Sequence, residues 1–495
     1  MNATTSKNTD LRFPRGPQSA RFRPLSDDEL LRVHQSVVEI LGEVGFEVHS
    51  EKAMELFKQS DANVDSERGV VRVPESMLFE LLEQAPSEIT LYGREDRHNL
   101  SLGTDAVYLG TGGTALNIYD APSGECHPAS LRDLIDIIRL VDKLDNVHFI
   151  VLPTYPNELP LEQVDVNRFF AGLNHTTKHV MGGVYTTEGI RDVVRLAEQV
   201  AGSPQALRER PFISMITCGI SPLKLDQKYG DFMLQVVEAG LPVSVPSEPL
   251  CGATSPITLA GNLVIQVCDT LIMIMAAQLA KPGAPVISGC VAASTDLRDL
   301  AYLGGSVESG LINAAAAQMA HAYRLPYYGT AGISDSKTID AQCGYEAATN
   351  NLLVALAGGD FIHDAAGLME FAMSVCKEKY VVDDEIIGMA MRAVEGIKVD
   401  DEHLAVDVIK KVGPAGHFIA NRHTRRHMRK EHFQPRLSDR DKREQWQAGG
   451  AKTALERASG IVDSILGGDA QGLLDAELRR DVMAKFPDVA REQDI

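Results

Sequence analysis

Positive charge is scarce in this chain. Its 48 lysines and arginines stand against 68 aspartates and glutamates, a formal net charge of −20 over 495 residues. A surface of that sign repels phosphate backbones, which argues against nucleic acid as a partner. Cysteine is sparse too. The seven are scattered and none forms a C-x-x-C pair. That excludes a disulfide framework and fits reduced thiols in a cytoplasm. No G-x-G-x-x-G, Walker or H-E-x-x-H pattern occurs, so the common nucleotide and zinc-protease signatures are missing. No long apolar run is free of polar groups. The most apolar, "LVIQVCDTLIMIMAAQLA", carries Gln266, Asp269 and Gln278 and reads as a buried helix rather than a membrane span. The opening "MNATTSKNTDLRFPRG" has no apolar core of a secretory leader.

What remains is an ordinary globular composition, 44% hydrophobic and 23% charged, enough to bury a large core. Residues 1–25, rich in Arg, Ser and Pro, read as a mobile arm. Residues 26–105 read as a helical preamble, its first helix capped by Ser26 and opened by an acidic turn. Residues 106–376 show a rhythm of eight short apolar runs separated by helical stretches. The runs begin at Val107, His148, His179, Phe212, Val243, Pro285, Pro326 and Asp360. Strands that alternate with helices imply parallel pairing. Eight even units predict an α/β fold, a (β/α)8 TIM barrel, with an open doubly wound sheet as the alternative. The clearest connecting helix is expected from Pro256 to Lys281, capped by Thr254 or Ser255. Residues 377–495 read as a C-terminal helical extension and a subunit contact, which makes a homo-oligomer the expectation.

In such a barrel ligands bind where strands end. Most of the runs end in small residues, among them Gly112, Gly113, Gly182, Gly183, Ser288, Gly289 and Gly332. One glycine merely ends a strand; so many at one end predict a roomy mouth. Glu248, Asp335 and Asp364 lie at or beyond strand ends, with Tyr108, Tyr155 and Tyr328 nearby. Carboxylates and aromatic faces together suit a cation, quaternary ammonium included. Tyr327 and Tyr328 must point to opposite faces, so only one enters the barrel. Cys218, Cys290 and His363 also fall near strand ends and offer a zinc alternative. His423 and His427 are four apart but crowded by Arg425, Arg426, Arg429 and Lys430, which favours a structural role.

Three stretches carry a resemblance: "CGATSPITLAGNLVIQVCDTLIMIMAAQLAKPGAPVISG", "GTAGISDSKTIDAQCGYE" and "VGPAGHFIANRHTRRHMRKEHF". In order and over roughly residues 26–450, they resemble the trimethylamine methyltransferase family. The resemblance implies a (β/α)8 barrel and transfer of a methyl group from a methylated amine to the cobalt of a corrinoid (cobalamin) held by a separate partner protein. Members acting on trimethylamine carry pyrrolysine in the segment matching Leu325–Ala348. Here that segment holds only standard residues. That points to quaternary amines, glycine betaine above all. A quaternary nitrogen already leaves as a neutral amine and needs no electrophilic activator. On this reading Glu248, Tyr108, Tyr155, Tyr328, Gly332, Asp335, Gln342, His363 and Asp364 line the substrate site, with His363 or backbone amides holding a carboxylate. Gly112, Gly113, Gly182, Gly183, Ser288 and Gly289 admit the corrinoid. No residue is expected to act as a general acid or base, and no tightly bound metal is expected. A non-catalytic barrel that binds betaine or corrinoid is the alternative from another class.

Overall fold

A computed structural model describes residues 22–468 and 471–490; most of the predicted N-terminal arm lies outside them. Eight parallel strands form the centre: β1 (Tyr108–Thr111), β2 (Ile150–Val151), β3 (Val180–Gly183), β4 (Ile213–Ile216), β5 (Val243–Ser247), β6 (Val286–Cys290), β7 (Tyr327–Thr330) and β8 (Phe361–Ala366). Each pairs in parallel with its sequence neighbour, and β8 returns to β1. A parallel bridge between Gly110 and Phe149 closes β1 onto β2. The amide of His148 donates to the carbonyl of Leu109 across the same seam at 2.8 Å. The expected eight-stranded barrel is therefore present, with helices around it.

The helices explain the long apolar run. Leu259–Ala280 is long and apolar enough to cross a membrane, with mean hydropathy 1.9, but 78% of that window is buried. The N-terminal segment covers one side of it and neighbouring barrel helices cover the others. A helix apolar all round is stable only when enclosed in this way. Its start departs from expectation: the N-cap is Thr258, and neither Thr254 nor Ser255 caps it. Both hydroxyls instead bond to the Leu250 backbone, which forms a turn ahead of the helix.

The preamble is not purely helical. Ser26 caps Asp27–Glu39 in a reciprocal capping box with Glu29, as the sequence indicates. Short strands at Phe46–Val48, Asn63–Asp65 and Val70–Arg72 then form an antiparallel sheet. A further hairpin joins Ile89–Leu91 to Leu100–Leu102. Three-residue strands are too short to show a period against the helices beside them. The hairpin has a clear task. Ile89, Leu91, Leu100 and Leu102 pack with Phe149, Val151, Met181, Ile287, Tyr328 and Phe361, which point into the barrel. The hairpin thereby forms the floor at the strands' N-terminal end.

Candidate active site

Above that floor the interior is a short column of rings. Phe149 and Phe361 lie 3.9 Å apart by centroid, Tyr328 follows at 5.5 Å from Phe361, and His363 stacks on Tyr328 at 4.1 Å. Tyr327 points the other way; its hydroxyl donates to Asn313 on an outer helix. Alternation along β7 settles which tyrosine enters the barrel.

His363 is held tightly. Its Nδ1 lies 2.8 Å from the carbonyl of Gly329, and a carbonyl can only accept. Nδ1 therefore carries the proton and Nε2 a lone pair. Nε2 lies 3.2 Å from Oδ2 of Asp364. That contact is a hydrogen bond only if the carboxyl is protonated. Electrostatics agree. Burial pushes the His363 imidazolium down to about 3, and burial with the neighbouring charge of Glu248 pushes Asp364 well above the usual carboxylate range. The pair is neutral at physiological pH. Asp364 adopts a left-handed backbone, φ 58°, and its other oxygen lies against Gly112. That oxygen, Oδ1, and the Tyr328 hydroxyl are buried with no hydrogen-bond partner.

Two more carboxylates share the mouth. Solvent reaches Glu248, yet protein surrounds it closely enough that burial raises it to about 7. It stands in a recess, not on an open surface. Asp335 is 8% exposed and is pushed by burial to about 6; the Gly305 amide donates to its Oδ1 at 3.2 Å. Glu346 anchors this turn. Its Oε2 accepts from the Ser334 hydroxyl at 2.7 Å and the Asp335 amide at 2.8 Å, and Gln342 donates to its other oxygen at 2.9 Å.

Several expected site residues lie elsewhere. Tyr108 stands at the floor: it begins β1, its hydroxyl accepts from the Ser101 amide of the hairpin at 3.2 Å, and it cannot meet a ligand at the mouth. Gly332 is needed for packing; a Cβ there would meet the backbone of Ala365 at 2.5–2.7 Å, and its φ is +73°. The proposed rim of small residues is mostly filled. A Cβ on Gly112 would collide with Asp364 and Leu368, on Gly113 with the Leu152 carbonyl, on Gly182 with Leu152 and Phe169, and on Gly289 with Pro246. Ser288 is buried. Only Gly183 has ordinary room. These glycines let strands and helices approach each other, not a macrocycle. His363 is fully engaged and is not free to hold a substrate carboxylate. The zinc alternative does not assemble either. The Cys218 thiol faces the Glu248 and Asp364 charges inside the barrel, whereas that of Cys290 sits beside Tyr327 on the outer face. Among the described residues, the one group of three or more His, Cys, Asp and Glu spaced for a metal lies outside the barrel.

Two contributors escape sequence reasoning. Tyr302 lies on a hairpin strand (Ala301–Leu303) after β6, and its phenol feels Glu248, Asp364 and Asp335 together. Arg168 comes from the helix Leu161–His175 and is fully buried. It donates to the carbonyls of Leu152, Thr154 and Gly183 and to Thr114, all near the ends of β1 to β3. Its charge also lies 5.5 Å from the Tyr185 ring, which packs edge-on against Tyr155 at 5.2 Å. All its donors are spent on the scaffold. The arrangement as a whole is acidic and partly aromatic, with Lys337 the cation beside Asp335.

The chain matches the family described as trimethylamine methyltransferase (MTTB) over residues 2–493. It is 37% identical to the trimethylamine methyltransferase MttB of Desulfitobacterium hafniense (strain DSM 10664 / DCB-2), covering 89% of this chain and 88% of that protein. It is 32% identical to the glycine betaine methyltransferase of Desulfitobacterium hafniense (strain Y51), covering 92% and 95%. The crystal structure of the Methanosarcina barkeri monomethylamine methyltransferase (MtmB) superposes with a TM-score of 0.52 at 12% identity, covering 92% of this chain and 91% of that one. At that identity the match speaks for the fold alone.

One consequence can be measured directly. A Glu248 carboxyl at about 7 in the folded chain, above its ordinary value, holds a proton that the unfolded chain releases near pH 4.5. The penalty for ionising it grows as pH rises from there and is complete above about 7. Glu248→Gln is therefore expected to melt at a higher temperature than the wild type at pH 8, the gain shrinking toward pH 4.5. An equal gain at both pH values, by thermal melts without substrate, would show that Glu248 is not the strained group.

Proposed function

The chain belongs to the trimethylamine methyltransferase family, and on that premise we propose that it moves a methyl group from a quaternary amine, glycine betaine foremost, to the Co(I) of a corrinoid held by a partner protein. The enzyme class, a methyltransferase, follows from the family. The observation that carries the substrate reading is the acidic recess. The Tyr302 phenol feels Glu248, Asp335 and Asp364 together, and a methylated ammonium suits carboxylates and ring faces. The segment Leu325–Ala348 holds only standard residues, which supports a donor that needs no activation. In the transfer, the cobalt electron pair forms the new bond to the methyl carbon. The old C–N pair stays on nitrogen, and glycine betaine leaves as dimethylglycine. Protons need not move, which agrees with a neutral His363–Asp364 pair. The protein's contribution is to hold the methyl carbon in line and keep water out, worth about 7–11 kcal/mol in favourable cases.

The partner reading rests on the mouth. Leu116, Ile257, Leu297, Leu300 and Met373 are 40–61% exposed, and each lies in a segment that follows the C-terminal end of a barrel strand. Exposed apolar residues clustered on one rim mark a docking surface. For the substrate carboxylate, Lys337 is the nearest available cation. It is exposed, lies 2.8 Å from the Asp335 carbonyl and sits 3.9 Å over the Phe371 ring.

Three measurements follow from this reading. Anoxic incubation with reduced cobalamin and glycine betaine should give methylcobalamin and dimethylglycine; no transfer from betaine, carnitine, choline or proline betaine overturns the proposal. Lys337→Met should raise KM for glycine betaine roughly ten- to hundredfold, the loss of one charged hydrogen bond. An equal change for choline, which lacks the carboxylate, argues against this role. Ile257→Glu should raise KM for the corrinoid protein about tenfold while transfer to free cobalamin is unchanged, and equal loss with both acceptors would place Ile257 outside the docking surface.

A further inference from the structure

Beyond the barrel, the chain from Ile397 to Glu431 has little holding it in place. It comprises helices of four, seven and six residues, Asp401–Leu404, Val406–Val412 and Arg422–His427, none of which contains a buried residue. Ile397 is 85% and Ile419 82% exposed. Helices this short are unstable alone and need tertiary support. Apolar packing does not supply it here.

A polar cluster stands where that support is missing. His403 and His427 come from the first and third of these helices, and Glu431 follows four residues later. Each offers one ligand atom, and the three atoms lie within 4.8 Å of one another. The two imidazole rings meet edge to face at 5.2 Å. Each also has a carboxylate on one of its ring nitrogens. Asp400 Oδ1 lies 2.6 Å from Nδ1 of His403, and Glu402 Oε1 lies 3.1 Å from Nε2 of His427. A carboxylate behind a metal-ligating histidine fixes the ring and strengthens its free nitrogen as a ligand. Glu402 is itself paired with Arg426 at 2.9 Å, and Arg392 stands 3.8 Å from Glu431. His423 is excluded from the set; its Nε2 is 3.0 Å from the Glu402 carbonyl.

We propose that His403, His427 and Glu431 bind a divalent zinc ion that fastens this extension. Two imidazoles and a carboxylate are a zinc donor set, with a fourth position left to water. The ion would join elements some 25 residues apart in sequence and replace the core they lack, since binding free energy becomes folding free energy. It takes no part in methyl transfer, and the barrel's own residues are not involved.

The test uses full-length, untagged protein stripped with chelator, dialysed and titrated with Zn(II), with Co(II) as a spectroscopic stand-in. The expected result is about one zinc per chain, a Co(II) spectrum of low coordination number, and slower proteolysis within residues 397–431 when zinc is bound. His403→Ala and the milder Glu431→Gln should both lose tight zinc, whereas Cys218→Ser and Cys290→Ser should keep it. The proposal is overturned if the wild type takes up no zinc. It is equally overturned if both the His403 and Glu431 variants retain it, or if the cysteine variants are the ones that lose it.

Discussion

The active end of the barrel depends on one buried ion pair. Lys379 and Asp383 lie one turn apart on the helix Lys377–Glu395, 2.6 Å from each other and almost wholly buried. The lysine also donates to the Gly332 carbonyl beyond β7, and the aspartate accepts from the Gly367 amide beyond β8. One pair thus ties together the two strand ends that present Asp335, His363 and Asp364. Burying two charges is costly, and the cost is recovered only where further hydrogen bonds satisfy both. Here those bonds are to the Gly332 carbonyl and the Gly367 amide, and the second Asp383 oxygen is left buried without a partner.

Within that frame the charges are arranged by exclusion. Burial raises three carboxylates near the mouth, Glu248, Asp335 and Asp364, and Asp335 has Lys337 beside it. Asp364 stays neutral by donating to a histidine that is itself neutral. Glu248 and Asp335 sit near the point where either form is accessible. Perturbed carboxylates gathered at strand ends are the mark of a functional site rather than of a folding core. Arg168 shows the complementary choice. Its full set of donors is committed to carbonyls near the ends of the first three strands, so its charge stiffens the rim.

Much of this was legible in the chain itself. The eight strands follow from short apolar runs at regular spacing, and the carboxylates from their positions at strand ends. The glycines misled. A glycine at a strand end looks the same whether it makes room for a ligand or for Phe169, Pro246 or Asp364, because only the neighbour, distant in sequence, decides. Tyr108 misled for a related reason: a four-residue strand has two ends, and the tyrosine belongs to the closed one. Tyr302 lay hidden in a hairpin that interrupts the strand–helix rhythm. Arg168 lay in a mixed helix whose inner face shows only when the barrel is assembled. Pairings between remote segments carry no local pattern.

The hairpin at Ile89–Leu102 has a consequence for the order of events. By sealing the lower end it leaves the barrel a single doorway. Whatever delivers the amine and whatever collects the methyl group must use that doorway in turn. If the acceptor is the proposed partner-held corrinoid, the amine would be seated before it covers the opening, and the demethylated product would stay enclosed until it withdraws. A cycle of loading, capping and release is thus imposed by the floor of the molecule, at the end opposite the chemistry.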